Sequence, residues 1–168
     1  MNRLTNLPTK AHVFVDTNIF ALYYIDQGLL GQACRDFLLR TTRRQVSGYT
    51  SVAVVAEAIH RVMVAEAAAQ LSLSSQKTVE HLQKHPELIQ KLTRHLTVAS
   101  DIHRLGIDIL PITYKELHGS KNIRANFGLM TNDSLIVAVM RSHKLYHLAT
   151  HDAGFARVTD LQVWRPIL

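Results

Sequence analysis

Residues 12–24 read HVFVDTNIFALYY, and this stretch decides the fold of the chain. The apolar, β-branched and aromatic run at 12–15 is typical of a short buried strand. Asp16 follows at once, and Thr17 or Asn18 can cap the helix that comes next. A carboxylate at the end of a buried strand is costly unless a cation meets it. The stretch therefore predicts a strand-to-helix unit that carries a functional acid.

Three further acids stand beside apolar runs in the same way. Asp152 follows a predicted strand, as Asp16 does, whereas Glu57 and Asp133 lie near the starts of predicted helices. In open α/β sheets, ligands bind beyond the carboxyl ends of the strands, so these positions converge on one edge. Carboxylate oxygens are the ligands that Mg²⁺ and Mn²⁺ prefer. The four acids together predict a site for a hard divalent cation.

Strand and helix signals alternate along the whole chain. Strands are predicted at residues 12–15, 46–49, 107–112, 145–149 and 162–164. Helices are predicted at 19–24, 30–40, about 51–70, in one or two pieces across 76–104, and at 133–143 after an Asn132 cap. Residues 113–119 are expected to form one or two helical turns, and 121–127 a basic connection. This order predicts a single domain with a three-layer α/β/α fold and a small, mainly parallel sheet.

The charge balance favours a polyanionic partner. Lys plus Arg is 19 and Asp plus Glu is 13, a net charge of +6. If four acids surround a cation, 13 − 4 leaves 9 acids against 19 bases on the rest of the protein. A basic surface around such a site would attract nucleic acid. Charge that serves solubility alone is the competing interpretation.

Length, apolar runs and cysteine content limit the possible classes and cellular locations of the protein. A length of 168 residues suits one domain with a substantial core. No apolar run reaches the ~18 residues of a membrane span, and no secretory signal is visible. The single cysteine, Cys34, excludes a disulfide framework. These features predict a cytoplasmic protein.

Four segments in order carry a family resemblance. They are HVFVDTNIFALYY (12–24), SGYTSVAVVAEAIHRV (47–62), GLMTNDSLIVAVM (128–140) and LYHLATHDAGFARV (145–158). Together they resemble the successive motifs of the PIN-domain ribonucleases, and closely those of the VapC-type toxins of toxin–antitoxin modules. Each segment alone is a weak signal, but four in the right order over nearly the full chain are specific.

The resemblance implies a Mg²⁺- or Mn²⁺-dependent endoribonuclease that is often a homodimer. It implies that the catalytic and metal-binding residues are Asp16, Glu57, Asp133 and Asp152. It also implies supporting roles for Thr17, Asn18 and Thr150. The stretch at about 65–104 is longer than in the most compact toxins, so a helical insertion or clip is expected there. The role of His151, which neighbours the last acid, is open, with proton transfer as one candidate.

On this interpretation, water activated by the cation hydrolyses an RNA phosphodiester bond. The protein is then the toxin of a type II pair, with a cognate antitoxin as its partner. Weaker candidates for contacts with the substrate's phosphates are the cations Arg61, Lys121, Arg124, Arg141 and Arg157.

Simpler interpretations exist for each acid. Asp16 and Asp133 can serve as helix caps, Glu57 can pair with Arg61 four residues later, and Asp152 can form a turn. Histidine pairs at 81/85 and 143/147 have zinc-binding spacing but no obvious third ligand, so solvated faces explain them better.

Other functions also remain open. They are a PIN nuclease in RNA processing and a silent nucleic-acid-binding PIN module. A phosphatase of the haloacid-dehalogenase type would want a second acid two residues after the first, where Asn18 stands.

Overall fold

A six-stranded, fully parallel sheet forms the centre of the computed structural model, which describes residues 2–167. Its strands are β1 (Asn2–Arg3), β2 (His12–Val15), β3 (Ser47–Ser51), β4 (Ile107–Leu110), β5 (His147–Ala149) and β6 (Gln162–Arg165). Their spatial order is β1-β6-β5-β2-β3-β4. The predicted α/β architecture with a parallel sheet is confirmed, and β1 is an addition that the sequence patterns did not reveal.

Eight α-helices connect and cover the strands within residues 2–167. They are α1 (Thr17–Ile25), α2 (Leu29–Thr42), α3 (Val52–Leu71), α4 (Ser75–Lys84), α5 (Pro86–Ile89), α6 (Val98–Arg104), α7 (Tyr114–Phe127) and α8 (Thr131–Ser142). None of the helices in this range is long and apolar enough to cross a membrane.

Strand β2 lies in the middle of the sheet, between β5 and β3, and its last three residues are fully buried. The ends of these three strands are tied together. The backbone amide of Asp16 donates to the carbonyl of Ala149 at 3.0 Å, and the hydroxyl of Thr50 donates to the carbonyl of Val15 at 2.9 Å. The carboxyl ends of β2, β3 and β5 are therefore aligned at one edge of the sheet.

The predicted cap of α1 is wrong, because Asp16 caps the helix and Thr17 already lies within it. Two predicted helix boundaries are wrong as well. Residues 114–127 form one helix, α7, where a short helix and a separate connection at 121–127 were predicted. A capping box between Thr113 and Glu116 starts α7, and Gly128 ends it with a left-handed φ of 62°. Because both ends are capped, the polar run at 121–127 continues the helix.

The second wrong boundary is the start of α8. Thr131 begins the helix and Met130 is its N-cap, so Asn132 does not cap it as predicted. Asp133 consequently lies in the first turn of α8. Pro111 lacks a backbone N–H for strand pairing, which fits the position of β4: the strand ends at Leu110 and lies at the edge of the sheet.

The middle of the chain packs onto the long helix α3. Ala67, Leu82 and Leu92 form a small apolar cluster separate from the main core. Both carboxylate oxygens of Glu66 accept backbone amides, those of Thr93 and Arg94. These contacts fix α4, α5 and the segment before α6 against α3, where the sequence predicts a clip.

The turn between α1 and α2 makes the fold sensitive to one methyl group at Gly31. A Cβ there would lie 2.1 Å from the carbonyl oxygen of Asp26, whereas one at Gly119 would meet nothing within 4 Å. We expect Gly31→Ala to destabilise the protein by about 2 kcal/mol or more through backbone displacement. Gly119→Ala, its matched control in α7, should stabilise it by about 0.5–1 kcal/mol. Denaturant unfolding of both variants measures this, and equal effects would contradict the account of the turn.

Candidate metal centre

Asp16 is the most buried of the four predicted acids, with 6% of its surface exposed. It caps α1, and Oδ1 accepts the backbone amide of Thr17 at 2.6 Å. Oδ2 accepts the side-chain amide of Asn18 at 2.6 Å and the hydroxyl of Thr150 at 2.7 Å. The carboxylate is therefore held in one orientation by three donors from two segments that are far apart in sequence.

The same network reaches Asp152. The hydroxyl of Thr150 accepts the backbone amide of Asp152 at 3.0 Å, and Asn18 Oδ1 accepts the amide of His151 at 2.7 Å. Asp152 Oδ1 in turn accepts the amide of Gly154 at 2.7 Å. Thus Asn18 and Thr150 join the ends of β2 and β5 and connect the first and last acids.

Glu57 and Asp133 approach from two neighbouring helices. Glu57 is in α3, where it lines a very small cavity together with Asn132 and Ile136 of α8. Asp133 is in the first turn of α8, a position where the helix dipole favours a negative charge. The two helix starts are therefore adjacent at the carboxyl edge of the sheet.

The electrostatics show that the four acids share one environment. Burial raises the pKa of Asp16 to about 6, and the charges of Asp133 and Glu57 add to this increase, while the hydrogen bonds from Thr150 and Thr17 oppose it. Burial also raises the pKa of Asp133, with further contributions from Asp152 and Glu57. Such mutual repulsion requires the carboxylates to be close together in a poorly solvated place.

The four carboxylates nevertheless do not form a preorganised metal site. Within residues 2–167, no three His, Cys, Asp or Glu side chains are grouped closely enough to hold a metal ion as they are. The reason lies in their partners. Glu57 Oε1 accepts a hydrogen bond from the guanidinium of Arg61 at 2.7 Å, and Asp152 Oδ1 accepts one from the backbone amide of Gly154. Both side chains face donors of the protein, so binding an ion would require them to turn.

The donor set fits a hard divalent cation. It consists of carboxylates whose charges, together with burial, raise the pKa of Asp16 and of Asp133, and a cation would relieve that repulsion. The hydroxyl of Thr17, next to Asp16, is buried without a hydrogen-bond partner among residues 2–167. Asp16, Glu57, Asp133 and Asp152 are the side chains that could hold such an ion, and oxygen donors of this kind suit Mg²⁺ or Mn²⁺.

The five predicted phosphate-binding cations all have protein partners. Arg61 pairs with Glu57, while the guanidinium of Arg141 makes two hydrogen bonds to Asp160. The remaining contacts join Arg124 to Ser120 and Ser134, Arg157 to the carbonyl of Gly128, and Lys121 to His118. A role in substrate binding stays a prediction for each.

The sequence interpretation missed Arg165 in β6. Its guanidinium donates to the carbonyl of His151 at 2.6 Å and so supports the segment that carries Asp152. The only signal was the position of β6, which neighbours β5 in the sheet. His151 itself has a buried ring nitrogen, Nδ1, without a hydrogen-bond partner within residues 2–167.

Comparison with known proteins gives one family and several similar folds. The family model described as PIN domain matches residues 13–161. A toxin–antitoxin complex from Klebsiella pneumoniae has 19% identity and a TM-score of 0.54, with 94% of this chain and 98% of that chain covered. FitAcB from Neisseria gonorrhoeae has 22% identity and a TM-score of 0.53, with coverages of 92% and 97%.

A third solved structure is VapC20 of Mycobacterium tuberculosis, described as a toxin that cleaves the sarcin-ricin loop. It has 14% identity and a TM-score of 0.56, and the match covers 87% of this chain and 94% of that chain. At these identities the solved structures show a shared fold alone. No curated protein has a significant match to the chain.

The raised pKa of Asp16 predicts a pH dependence of stability. Because the folded pKa is about 6 and the ordinary value is 3.8, folding takes up a proton between these values. The contribution of Asp16 to the free energy of unfolding is therefore highest at acidic pH. It falls by about 1.4 kcal/mol per pH unit as the pH rises between these two values. We expect the unfolding free energy of wild type minus that of Asp16→Asn to decline from about pH 4 to about pH 6 and then level off. Denaturation with a chelator present measures it, and a difference that is constant with pH would refute the assignment.

The pairing of Glu57 with Arg61 predicts an effect on cation affinity. Arg61→Gln removes the donor that holds Glu57 and a positive charge beside the site. We expect Mg²⁺ or Mn²⁺ to bind about two- to fivefold more tightly, since exposed pairs of this kind contribute about 0.3–1 kcal/mol. Calorimetric titration checks this. Arg104→Gln, which breaks an i,i+3 pair with Asp101 elsewhere, is the matched control. Weaker binding by Arg61→Gln alone would mean that Arg61 positions Glu57 for the ion.

Proposed function

Because the chain belongs to the PIN domain family, we propose that it is a divalent-cation-dependent endoribonuclease and the toxin of a type II toxin–antitoxin pair. The observation that carries the proposal is the pair of acids with a raised pKa at the carboxyl edge of the sheet, Asp16 and Asp133, to which the charges of Glu57 and Asp152 contribute. One member, Asp16, is buried with a pKa of about 6. Such groups are characteristic of functional sites, because a merely structural role would not require this electrostatic cost.

Asp16, Glu57, Asp133 and Asp152 would hold Mg²⁺ or Mn²⁺ in this proposal. When bound, the cation supplies a lowered pKa for water and offsets negative charge on the phosphate. Asp16 provides the fixed point, because three donors hold its carboxylate in place. Glu57 and Asp152 provide adaptable oxygens that exchange a protein donor for the ion.

The supporting residues act through orientation. Asn18 and Thr150 hold Asp16, and they also hold the backbone of His151 and Asp152, so the first and last acids keep one spacing. Neither residue has to contact the RNA for this role. Their loss would weaken the alignment of the carboxylates rather than remove a reacting group.

RNA is the substrate that the charge distribution favours. The chain carries a net charge of +6 although it concentrates acids at one site. Arg61 pairs with Glu57 itself, and Arg124 contacts Ser134, the neighbour of Asp133, so these two of the five cations lie beside the carboxylates where a phosphate would bind. A guanidinium at this distance can exchange neutral hydroxyl partners for a phosphate oxygen.

An antitoxin is the partner in this proposal, and the protein would act with it in the cytoplasm as a homodimer. Support comes from solved structures of the same fold that are toxin–antitoxin complexes. A largely apolar groove of about 480 Å³ lies between α1, α3 and α4, with Ile25, Val64 and Val79 in its lining. Arg61 also lines it, so an antitoxin helix in this groove would lie beside Glu57.

The direct test is cleavage of RNA by purified wild type and Asp16→Asn with Mg²⁺ or Mn²⁺. We expect the variant to lose at least about a hundredfold in rate, or about 2.7 kcal/mol of transition-state stabilisation. Asp36→Asn, an exposed site in α2 with the same loss of charge, should cleave like wild type. Cleavage by Asp16→Asn at the wild-type rate would contradict the assignment, and the absence of metal-dependent cleavage by wild type would favour a silent binding module.

The toxin role is tested separately in cells. Production of wild type should arrest growth, whereas Asp16→Asn should not. Co-production of a small protein encoded next to the gene should restore growth. Normal growth despite active RNA cleavage in vitro would favour the alternative role in RNA processing.

A further inference from the structure

A polar cavity lies at the opposite edge of the sheet from the carboxylates. Its volume is about 650 Å³, and it lies where β2 and β5 begin. The polar side chains in its lining include Lys10, His12, Tyr49, His143, Lys144 and His147. A strand rises about 3.3 Å per residue, so the four residues of β2 separate this cavity from Asp16 by roughly 13 Å of sheet. The proposed nuclease site does not account for it.

The charged side chains that line the cavity are all basic. No Asp or Glu is among the described residues that line it, although two lysines and three histidines are. A neighbouring cavity of about 530 Å³ shares Tyr49 and adds Arg44 at the same edge, together with Asp108. This excess of donors without counter-charges suits an anionic ligand.

The backbone at the basic residues gives a second, independent indication. Lys10, Arg44 and Lys144 adopt left-handed φ values of 65°, 55° and 55°. For residues other than glycine, this conformation costs about 1 kcal/mol or more. Arg44 and Lys144 follow the ends of α2 and α8, a position that glycine usually fills. Basic side chains therefore stand where the backbone alone would favour glycine.

The histidines are arranged as donors rather than as metal ligands. Trp164 Nε1 donates to Nδ1 of His147 at 3.0 Å, so the neutral ring carries its proton on Nε2. Burial, followed by the proximity of His12, lowers the pKa of His147. Within residues 2–167, no three metal-binding side chains are grouped at this cavity.

Aromatic rings complete the lining. His12 stacks on Tyr49 with ring centroids 5.7 Å apart, and its Nδ1 lies 3.0 Å from the Tyr49 hydroxyl. Tyr146 also lines the cavity and remains 53% exposed, so its ring is accessible to a ligand. Basic side chains beside an exposed aromatic ring are the combination that recognises a phosphate joined to a base.

From these observations we propose that the cavity binds a nucleotide, with its phosphate at Lys10 and Lys144 and its base against Tyr146. The ligand is a free nucleotide or the nucleotide at an end of an RNA chain, since both present the same groups. The inference is independent of nuclease activity, because none of these residues belongs to the carboxylate site.

The test is calorimetric titration of the full chain with AMP in the presence of a chelator. Without a divalent cation, the four carboxylates repel the phosphate, so any binding reports another site. We expect AMP to bind in the micromolar to millimolar range and inorganic phosphate to bind more weakly. Imidazole NMR signals of His12 and His147 should shift, whereas that of His81 should not.

Glycine variants test the lysines without endangering the fold. At left-handed φ values, Lys10→Gly with Lys144→Gly relieves the backbone, so the melting temperature should not fall. AMP affinity should fall at least about tenfold, as the loss of charge-assisted bonds to phosphate requires. Ser72→Gly, also left-handed with φ of 53°, controls for the backbone, and Lys77→Gln controls for charge. Both should bind AMP like wild type.

Tyr146→Ala should weaken AMP about fivefold or more, with no effect on inorganic phosphate. A short oligoribonucleotide that binds more tightly than AMP in the presence of the chelator, and loses this in the double glycine variant, would assign the site to an RNA strand. Equal affinities would assign it to a free nucleotide.

The proposal is overturned if wild type binds no AMP, or if the double glycine variant binds it unchanged. A lower melting temperature of that variant without AMP binding by wild type would show that the lysines serve only the stability of the fold.

Discussion

The burial of one carboxylate, that of Asp16, is the constraint on which the rest of the site depends. Desolvation disfavours its charged form, and the hydrogen bonds from Thr150 and Thr17 only partly offset this, so its pKa rises to about 6. Asn18 donates a third hydrogen bond to the carboxylate. Two of the donors, Asn18 and Thr150, also bind the segment that carries Asp152. The network that holds the first acid therefore positions the last acid as well.

The parallel sheet explains how acids far apart in sequence meet. Strands β2, β3 and β5 all point the same way, so Asp16 and Asp152 leave the sheet at one edge, where α3 and α8 begin. Besides burial, the charges of Asp133 and Glu57 raise the pKa of Asp16, and those of Asp152 and Glu57 raise the pKa of Asp133. Arg61 and the backbone of Gly154 hold two of the carboxylates by ordinary hydrogen bonds. The site thus combines a rigid acid with adaptable ones, which suits a cation that binds reversibly.

Much of this arrangement follows from the sequence because the signals are local. The apolar run 12–15 followed by Asp16 identifies a buried strand and its terminal acid, and local patterns predicted five of the six strands within residues 2–167. The sequence prediction split the helix at 114–127 into two pieces, because apolar residues do not recur at helical spacing in its polar middle. Only the caps at Thr113 and Gly128 define the two ends of this helix. The pairing of Arg165 with the carbonyl of His151 joins two segments through tertiary structure, so no local pattern announces it.

The central claim is that four carboxylates form one divalent cation site. Anomalous diffraction from crystals of the protein soaked in Mn²⁺ tests it most directly. The account predicts a manganese peak within coordination distance of Asp16, with Glu57 turned away from Arg61 towards the ion and Asp133 and Asp152 in direct or water-mediated contact. A manganese ion bound elsewhere, with Glu57 still paired to Arg61 and Asp16 without a cation, would contradict it.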